Sequence, residues 1–204
     1  MNTLILASSS PQRLSLLYNI GYKPDRVTSP CIDKTIRAKE LPRDYCKRIS
    51  LAKALKVSSQ FTKSFVLGVC TVMSRGRMIL TKPHHIDDAY KLFKLLSGRR
   101  HSVFTGICVI KNNKTTIFKI VQTKIKFKVL SYGEIEYLIH SNEWQNQHGC
   151  YSFNTISGAF IEWVNGHPSN VIGLPVHETY KILNGVGLKQ QSIIYNQPTN
   201  NDLK

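Results

Sequence analysis

A chain of 204 residues, 42% hydrophobic and 20% charged, has the length and composition of a soluble globular domain with a full core, which excludes disordered and fibrous classes. Its 28 basic against 12 acidic residues give a formal net charge of +16, a field that favours polyanions such as nucleotides, nucleic acid or an anionic membrane face. Five cysteines (Cys31, Cys46, Cys70, Cys108, Cys150) with no Cys-x-x-Cys pair argue against a disulfide framework and structural zinc. No signal-peptide pattern opens the chain and no run nears the roughly eighteen apolar residues of a membrane span, so the expected location is cytoplasmic.

Met1 to Ala7 reads as a short buried strand that runs into Ser8-Ser9-Ser10-Pro11-Gln12-Arg13. Hydroxyls at the strand end, a proline suited to the first helical position and an arginine fork just inside describe an anion site at a helix N-terminus. The same residues also read as an ordinary capped helix. Leu14, Leu16, Leu17 and Ile20 mark that helix, and Gly21 is placed to end it. Residues 22–43 read as a strand and a long loop. A basic helix follows over about Leu41 to Ser58, with Tyr45, Ile49, Ala52 and Lys56 along one face and Lys53 beside that seam.

Phe65 to Met73 is continuously apolar, as expected of a strand covered on both sides. A turn at Arg75-Gly76-Arg77 leads to a short strand that closes at Thr81-Lys82-Pro83. Ala89, Leu92, Phe93 and Leu96 have helical spacing, with Gly98 as a stop. Asp87-Asp88 at that helix start suits the helix dipole, and His84-His85 lacks a third metal ligand. Ser102 to Ile110 and Thr115 to Val129 form a hairpin across Asn112-Asn113, with Gln122, Lys124, Lys126 and Lys128 on a wet, basic face. Glu134 to His140 reads as a short helix, Gly149 to Ser157 as a loop, Gly158 to Val164 as a strand and Gly173 to Leu183 as the last helix. With no repeat or linker, 1–188 reads as one α/β domain and 189–204 as a polar, frayed tail.

Basic side chains recur at the predicted element ends: Arg13, Lys53, Lys82 and Arg99/Arg100. Converging on one cleft they would make a triphosphate clamp; singly, each reads as a solvated charge. Hydrolysis of a phosphoanhydride calls for carboxylates to hold a divalent ion and activate water, and carboxylates are scarce here.

Leu4-Ile-Leu-Ala-Ser-Ser-Ser-Pro-Gln-Arg13, Ile32-Asp33, Lys53-Ala54, Lys82-Pro83, Leu96-Ser-Gly-Arg99, Val103-Phe-Thr-Gly106 and Ser169-Asn-Val-Ile-Gly-Leu-Pro175 together resemble the Maf family in order and spacing. The resemblance runs from about residue 3 to 183. It implies a mixed α/β sheet, with two lobes around a deep nucleotide-binding cleft of the Maf/ITPase-like kind, often dimeric. It also implies a nucleoside triphosphate pyrophosphatase that cuts dTTP, UTP or noncanonical nucleotides between the α and β phosphates, with a divalent metal cation (Mg or Mn). Members of the family are also described as septum-formation inhibitors.

Carried over residue by residue, Ser8, Ser9, Ser10 and Arg13 match the family's phosphate-binding loop, and Lys53 and Lys82 match its two triphosphate-contacting lysines. Asn154 stands where the family has a glutamine. Asp33 remains of an Asp-Glu-Thr segment linked to metal, with Lys34 in the glutamate position. Cys70 stands where the family has the aspartate proposed to activate water, Asn146 replaces a later aspartate, and Gln12 a loop arginine. Two carboxylates have become neutral and a third has become a cation. Loss of a general base costs about 10²–10⁴ in rate. The resemblance therefore implies either a pyrophosphatase of reduced activity or a catalytically inactive nucleotide-binding protein with a regulatory role. A nucleic-acid-binding module has only the charge and the Gln122–Lys128 strand behind it.

Overall fold

The computed structural model describes residues 3–146, 151, 153 and 155–191. In chain order they form β1 (Thr3–Ala7), α1 (Pro11–Asn19), β2 (Arg26–Val27), α2 (Pro42–Ser58), β3 (Ser64–Arg75), β4 (Met78–Leu80), α3 (Ile86–Leu96), β5 (Arg100–Lys111) and β6 (Thr115–Phe127). There follow α4 (Tyr132–His140), α5 (Glu143–Asn146), a 3-10 turn (Ile156–Phe160), β7 (Ile161–Asn165), α6 (Pro168–Ile172) and α7 (Val176–Gly185).

The strands make one mixed sheet in the order β2-β1-β3-β5-β6-β7, with β4 paired to the far end of β3. β1 runs parallel to β2 and β3; every other pairing is antiparallel. Ala7 pairs with Gly68, so β1 stops partway along β3 and the chain leaves it beside Val69–Thr71. That offset places the functional site, because ligands of α/β sheets sit beyond the carboxyl ends of parallel strands.

Burial on both faces explains the continuous apolar run of β3. Phe65, Leu67 and Val69 enter a core with Leu4, Leu6, Leu17 and Leu183, while Val66 enters another with Ile5, Ala54 and Val57 of α2. A further core at the opposite end of the sheet joins Val103, Ile125 and Phe127 to Phe93, Leu96, Leu138 and Trp144. α2 lies directly on the sheet. A Cβ at Gly68 would stand 2.3 Å from the Ser50 carbonyl oxygen, and one at Gly106 would stand 2.7 Å from that of Cys46. Only glycine allows this approach.

The hairpin turns at Asn112 and Asn113, whose φ angles of 52° and 53° are those of a two-residue primed turn. Other expectations need correction. The seam of α2 is Tyr45, Cys46, Ile49, Ser50, Lys53, Ala54 and Val57, so Lys53 belongs to the buried face while Lys56 points to solvent. The strand expected from Gly158 begins only at Ile161, because the Gly158 N–H bonds back to the Thr155 carbonyl and closes the 3-10 turn. The last helix, expected from Gly173, begins only at Val176, because Gly173 at φ 130° and Pro175 lie outside it. α5 and α6 were not anticipated. Residues 192–204 of the expected tail lie outside the described residues, whereas Gln190 and Gln191 bond to the carbonyls of Ile20 and Gly21.

Candidate active site

The serine loop follows β1 and precedes Pro11, which occupies the first turn of α1. Ser10 is the N-cap residue, but its hydroxyl does not bond the helix: Ser10 Oγ donates to Gln12 Oε1 at 2.9 Å. The first-turn N–H groups, which have no acceptor within a helix, are therefore left uncapped by that side chain, as an anion site requires. Ser8 is buried and Ser9 exposed.

Arg13 is 4% exposed, and its fork is engaged inside the protein. Nε donates to the Gly173 carbonyl (2.9 Å), Nη1 to Ser8 Oγ (2.9 Å) and Nη2 to Thr71 Oγ1 (3.1 Å). Burial lowers its pKa from the ordinary value, against the opposing pull of Cys70 and Cys46. Arg13 thus braces the serine loop against β3 and the turn after α6. From Thr71 the polar contacts continue to Thr105 Oγ1 (2.9 Å), which donates to the Asn170 carbonyl (3.0 Å). Asn170 Nδ2 in turn donates to Val103 O (3.1 Å) and Thr123 Oγ1 (3.0 Å).

Lys53 reaches the same end of β3. Its ammonium donates to the Val69 carbonyl at 2.9 Å. Burial, reinforced by the positive charge of Arg13, lowers its pKa to about 8. Cys70 lies next along the strand, packed with Cys46 of α2 in one cluster. The neighbouring Cys46 thiol first, then the charges of Lys53, Arg13 and Lys34, lowers the Cys70 pKa against the effect of burial. The Cys46 thiol is pushed well up by Cys70 and by burial. The structure therefore gathers Ser8, Arg13, Lys53, Cys70 and Lys34 into one electrostatic neighbourhood.

Lys82 is exposed and lines a hollow of about 480 Å³ between β4 and α3, with Thr81, His84 and Lys91. Asp33 is exposed, and its carboxylate is folded onto its own turn, accepting from Thr35 N (2.8 Å) and Thr35 Oγ1 (2.6 Å), which lowers its pKa. Asn146 closes α5, and Asn154 lies outside the described residues. Among the described residues no three of His, Cys, Asp or Glu stand together as a metal site. The donors around Cys70 are soft thiols set among cations, which do not fit a hard divalent ion that takes oxygen ligands.

Sequence reasoning missed Cys46, Thr71, Thr105 and Asn170. Cys46 could have been found from spacing, since Cys46, Ser50, Lys53 and Val57 repeat on one face of α2. Thr71 and Thr105 are cross-strand partners, a relation that becomes visible only with the register of β3 on β5.

The model of the Maf-like protein family matches residues 3–186. A dTTP/UTP pyrophosphatase of Wolbachia sp. subsp. Drosophila simulans (strain wRi) is 43% identical over 184 residues, covering 90% of this chain and 93% of that protein. A nucleoside triphosphate pyrophosphatase of Ehrlichia canis (strain Jake) is 45% identical over 183 residues, covering 90% and 95%. Among solved structures, a nucleoside-triphosphatase (dITP/XTP pyrophosphatase) of Mycobacterium abscessus aligns with a TM-score of 0.46 at 11% identity, over 91% of this chain and 95% of that one. The family match extends from β1 through α7, the whole of the mixed sheet and its helices, and the chain belongs to the Maf family.

Proposed function

We propose that this chain is a nucleoside triphosphate pyrophosphatase of the cytoplasm that hydrolyses dTTP- or UTP-type or noncanonical nucleotides to monophosphate and pyrophosphate, at reduced turnover. One observation carries the reading. In a chain 43% identical to a dTTP/UTP pyrophosphatase, Lys53 and the Arg13-braced serine loop meet at the carboxyl end of β1.

The residues divide the work as follows. The first-turn N–H groups of α1 and the exposed Ser9 hydroxyl take phosphate oxygens. Arg13 holds that loop rigid from behind, and Lys53, brought fully to its charged form by an approaching anion, supplies the positive charge. In hydrolysis, water oxygen bonds to the α phosphorus and the bridging P–O bond breaks, releasing pyrophosphate. Cys70 is the group placed to accept the water's proton. Its thiolate is a weaker fit to this task than the carboxylate implied by the family pattern. The donor set around it does not fit the divalent ion that the resemblance implies, so no step is assigned to one.

Pyrophosphate release from dTTP and UTP, with Mg²⁺ or Mn²⁺ present, tests the reading. Turnover above that of Lys53→Met, yet lowered by about 10²–10⁴ relative to a relative with the carboxylate in place, is expected. Turnover equal to that of Lys53→Met contradicts it.

The cationic surroundings of Cys70 support a second reading, a nucleotide-binding protein that neither cuts nor needs metal. Lys34 then takes over part of the charge of the ion. Calorimetry with EDTA beside the turnover assay separates the two: affinity kept without metal and no pyrophosphate release supports this reading, and affinity lost with the metal removes it.

A further inference from the structure

Two thiols sit at the floor of the site, and the proposed reaction uses one of them at most. Cys46 of α2 is fully buried; Cys70 of β3 is 5% exposed. Close packing of α2 on the sheet brings them together. Gly106 is the cross-strand partner of Cys70, and the Cys46 carbonyl oxygen stands where a Cβ of Gly106 would be crowded, at 2.7 Å. The two side chains share one cluster with Tyr45 and Ile49. Cys46 Sγ donates to the Phe104 carbonyl oxygen at 3.2 Å, which fixes its direction.

The pair is chemically unequal. Lys53, Arg13 and Lys34 favour the thiolate of Cys70, while burial and the neighbouring Cys70 keep Cys46 protonated. One sulfur is thus suited to be oxidised first and the other to resolve it. Cys108 lies in the separate core beneath α2, where burial pushes it up to about 12 and leaves it an inert thiol.

We infer that Cys46 and Cys70 form a reversible disulfide, closed by hydrogen peroxide and reopened by a dithiol, which makes the floor of the site an oxidation-sensitive modification site. The Cys70 sulfur attacks the peroxide oxygen; the S–O bond forms as the O–O bond breaks, and the departing oxygen leaves as water after taking a proton. The Cys46 sulfur then attacks the sulfenic sulfur. The S–S bond forms, the S–O bond breaks, and the hydroxyl leaves as water with the Cys46 proton. Two thiols lose two electrons, and the peroxide is reduced to two waters. The new bond ties α2, which carries Lys53, to β3. It also removes the thiolate beside Lys53. Bond formation does not depend on what the cleft takes, so its failure leaves the proposed function untouched.

The test is a disulfide map of the full chain treated with hydrogen peroxide, alkylated under denaturing conditions and digested without reductant. The expected result is one peptide pair joined through Cys46 and Cys70, with two alkylatable thiols lost and both restored by dithiothreitol. Cys31→Ser should leave that link intact, and Cys46→Ser should stall Cys70 at a dimedone-reactive sulfenic acid. The wild-type map decides the matter if the Cys46 variant does not fold. Advance of wild-type Cys70 to sulfinic acid without the link, links only through Cys31 or Cys150, or two thiols that stay alkylatable would each overturn the proposal.

Discussion

Arg13 donates its Nε hydrogen to the carbonyl oxygen of Gly173 at 2.9 Å, joining residues 160 positions apart. The contact locks the loop after the first strand onto the turn that separates the last two helices. The guanidinium adds bonds to Ser8 and Thr71, so one buried cation organises the mouth of the site from within.

Arg13→Ala should therefore destabilise the fold as well as weaken anion binding. Three charged hydrogen bonds end at once, a loss of about 3–5 kcal/mol. Arg13→Lys should recover only part of it, since a point charge does not reproduce the planar fork. Urea denaturation would show this as a lower midpoint at unchanged m-value. A midpoint equal to that of the wild type would mean that the brace carries no weight.

Gly68→Ala tests the seat of α2. The added methyl would lie 2.3 Å from the Ser50 carbonyl oxygen, a backbone atom that cannot turn aside. The helix must lift from the sheet, carrying Lys53 away from Val69. A loss of about 3 kcal/mol or failure to fold is expected by urea denaturation, against less than about 1 kcal/mol for an alanine at the exposed Gly76 turn, apart from its left-handed backbone cost. Wild-type stability in Gly68→Ala would contradict the packing described.

How much of this was legible in the sequence follows from range. β3 and α3 each repeat one periodicity over their own length, and both stand where the pattern puts them. α6 was hidden because its five residues, Pro168–Ile172, are too few to show a helical period, and the start expected at Gly173 falls on a residue at φ 130°. The serine loop was legible as a strand end that runs into a helix N-terminus. The engagement of Arg13 was not, because a surface fork and a buried brace have the same local sequence, and Gly173 and Thr71 are brought to it only by the sheet. The seam of α2 was misplaced for a related reason. Its two close glycines lie on β3 and β5, and they admit a lysine and a serine to the buried face.

Lys53 should make stability rise with pH on the alkaline side. Its folded pKa is lowered from 10.5 to about 8, so between these values the unfolded chain binds a proton that the native state does not. The contribution is complete above pH 10.5 and is lost as pH falls to about 8, by up to about 3 kcal/mol. Lys53→Met should flatten the difference curve across that window. A Met variant with the wild-type slope would show that the lysine is not desolvated. Near pH 8.5, triphosphate binding should also take up protons, read by calorimetry in buffers of different ionisation enthalpy.

His101 acts on the acid side. It is buried beside Phe127 and hydrogen-bonded to the Tyr151 hydroxyl, and burial lowers its pKa from 6.5 to about 4. The unfolded chain binds the proton first as pH falls. Stability present above pH 6.5 should therefore be lost progressively toward pH 4, by up to about 3 kcal/mol. His101→Phe keeps the edge-on ring packing and removes the titration, so its acid limb should be shallower by that amount. Equal acid limbs would place the sensitivity elsewhere.

The central claim is that a cationic grip on a nucleoside triphosphate persists where the groups for cutting it have been depleted. The most direct measurement is a paired titration and turnover assay with dTTP, run with Mg²⁺ and with EDTA. Saturable binding is expected in both conditions, weakened at least tenfold in Lys53→Met, with pyrophosphate release that is slow with Mg²⁺. Absence of dTTP binding in either condition, or binding that Lys53→Met leaves unchanged, would contradict it.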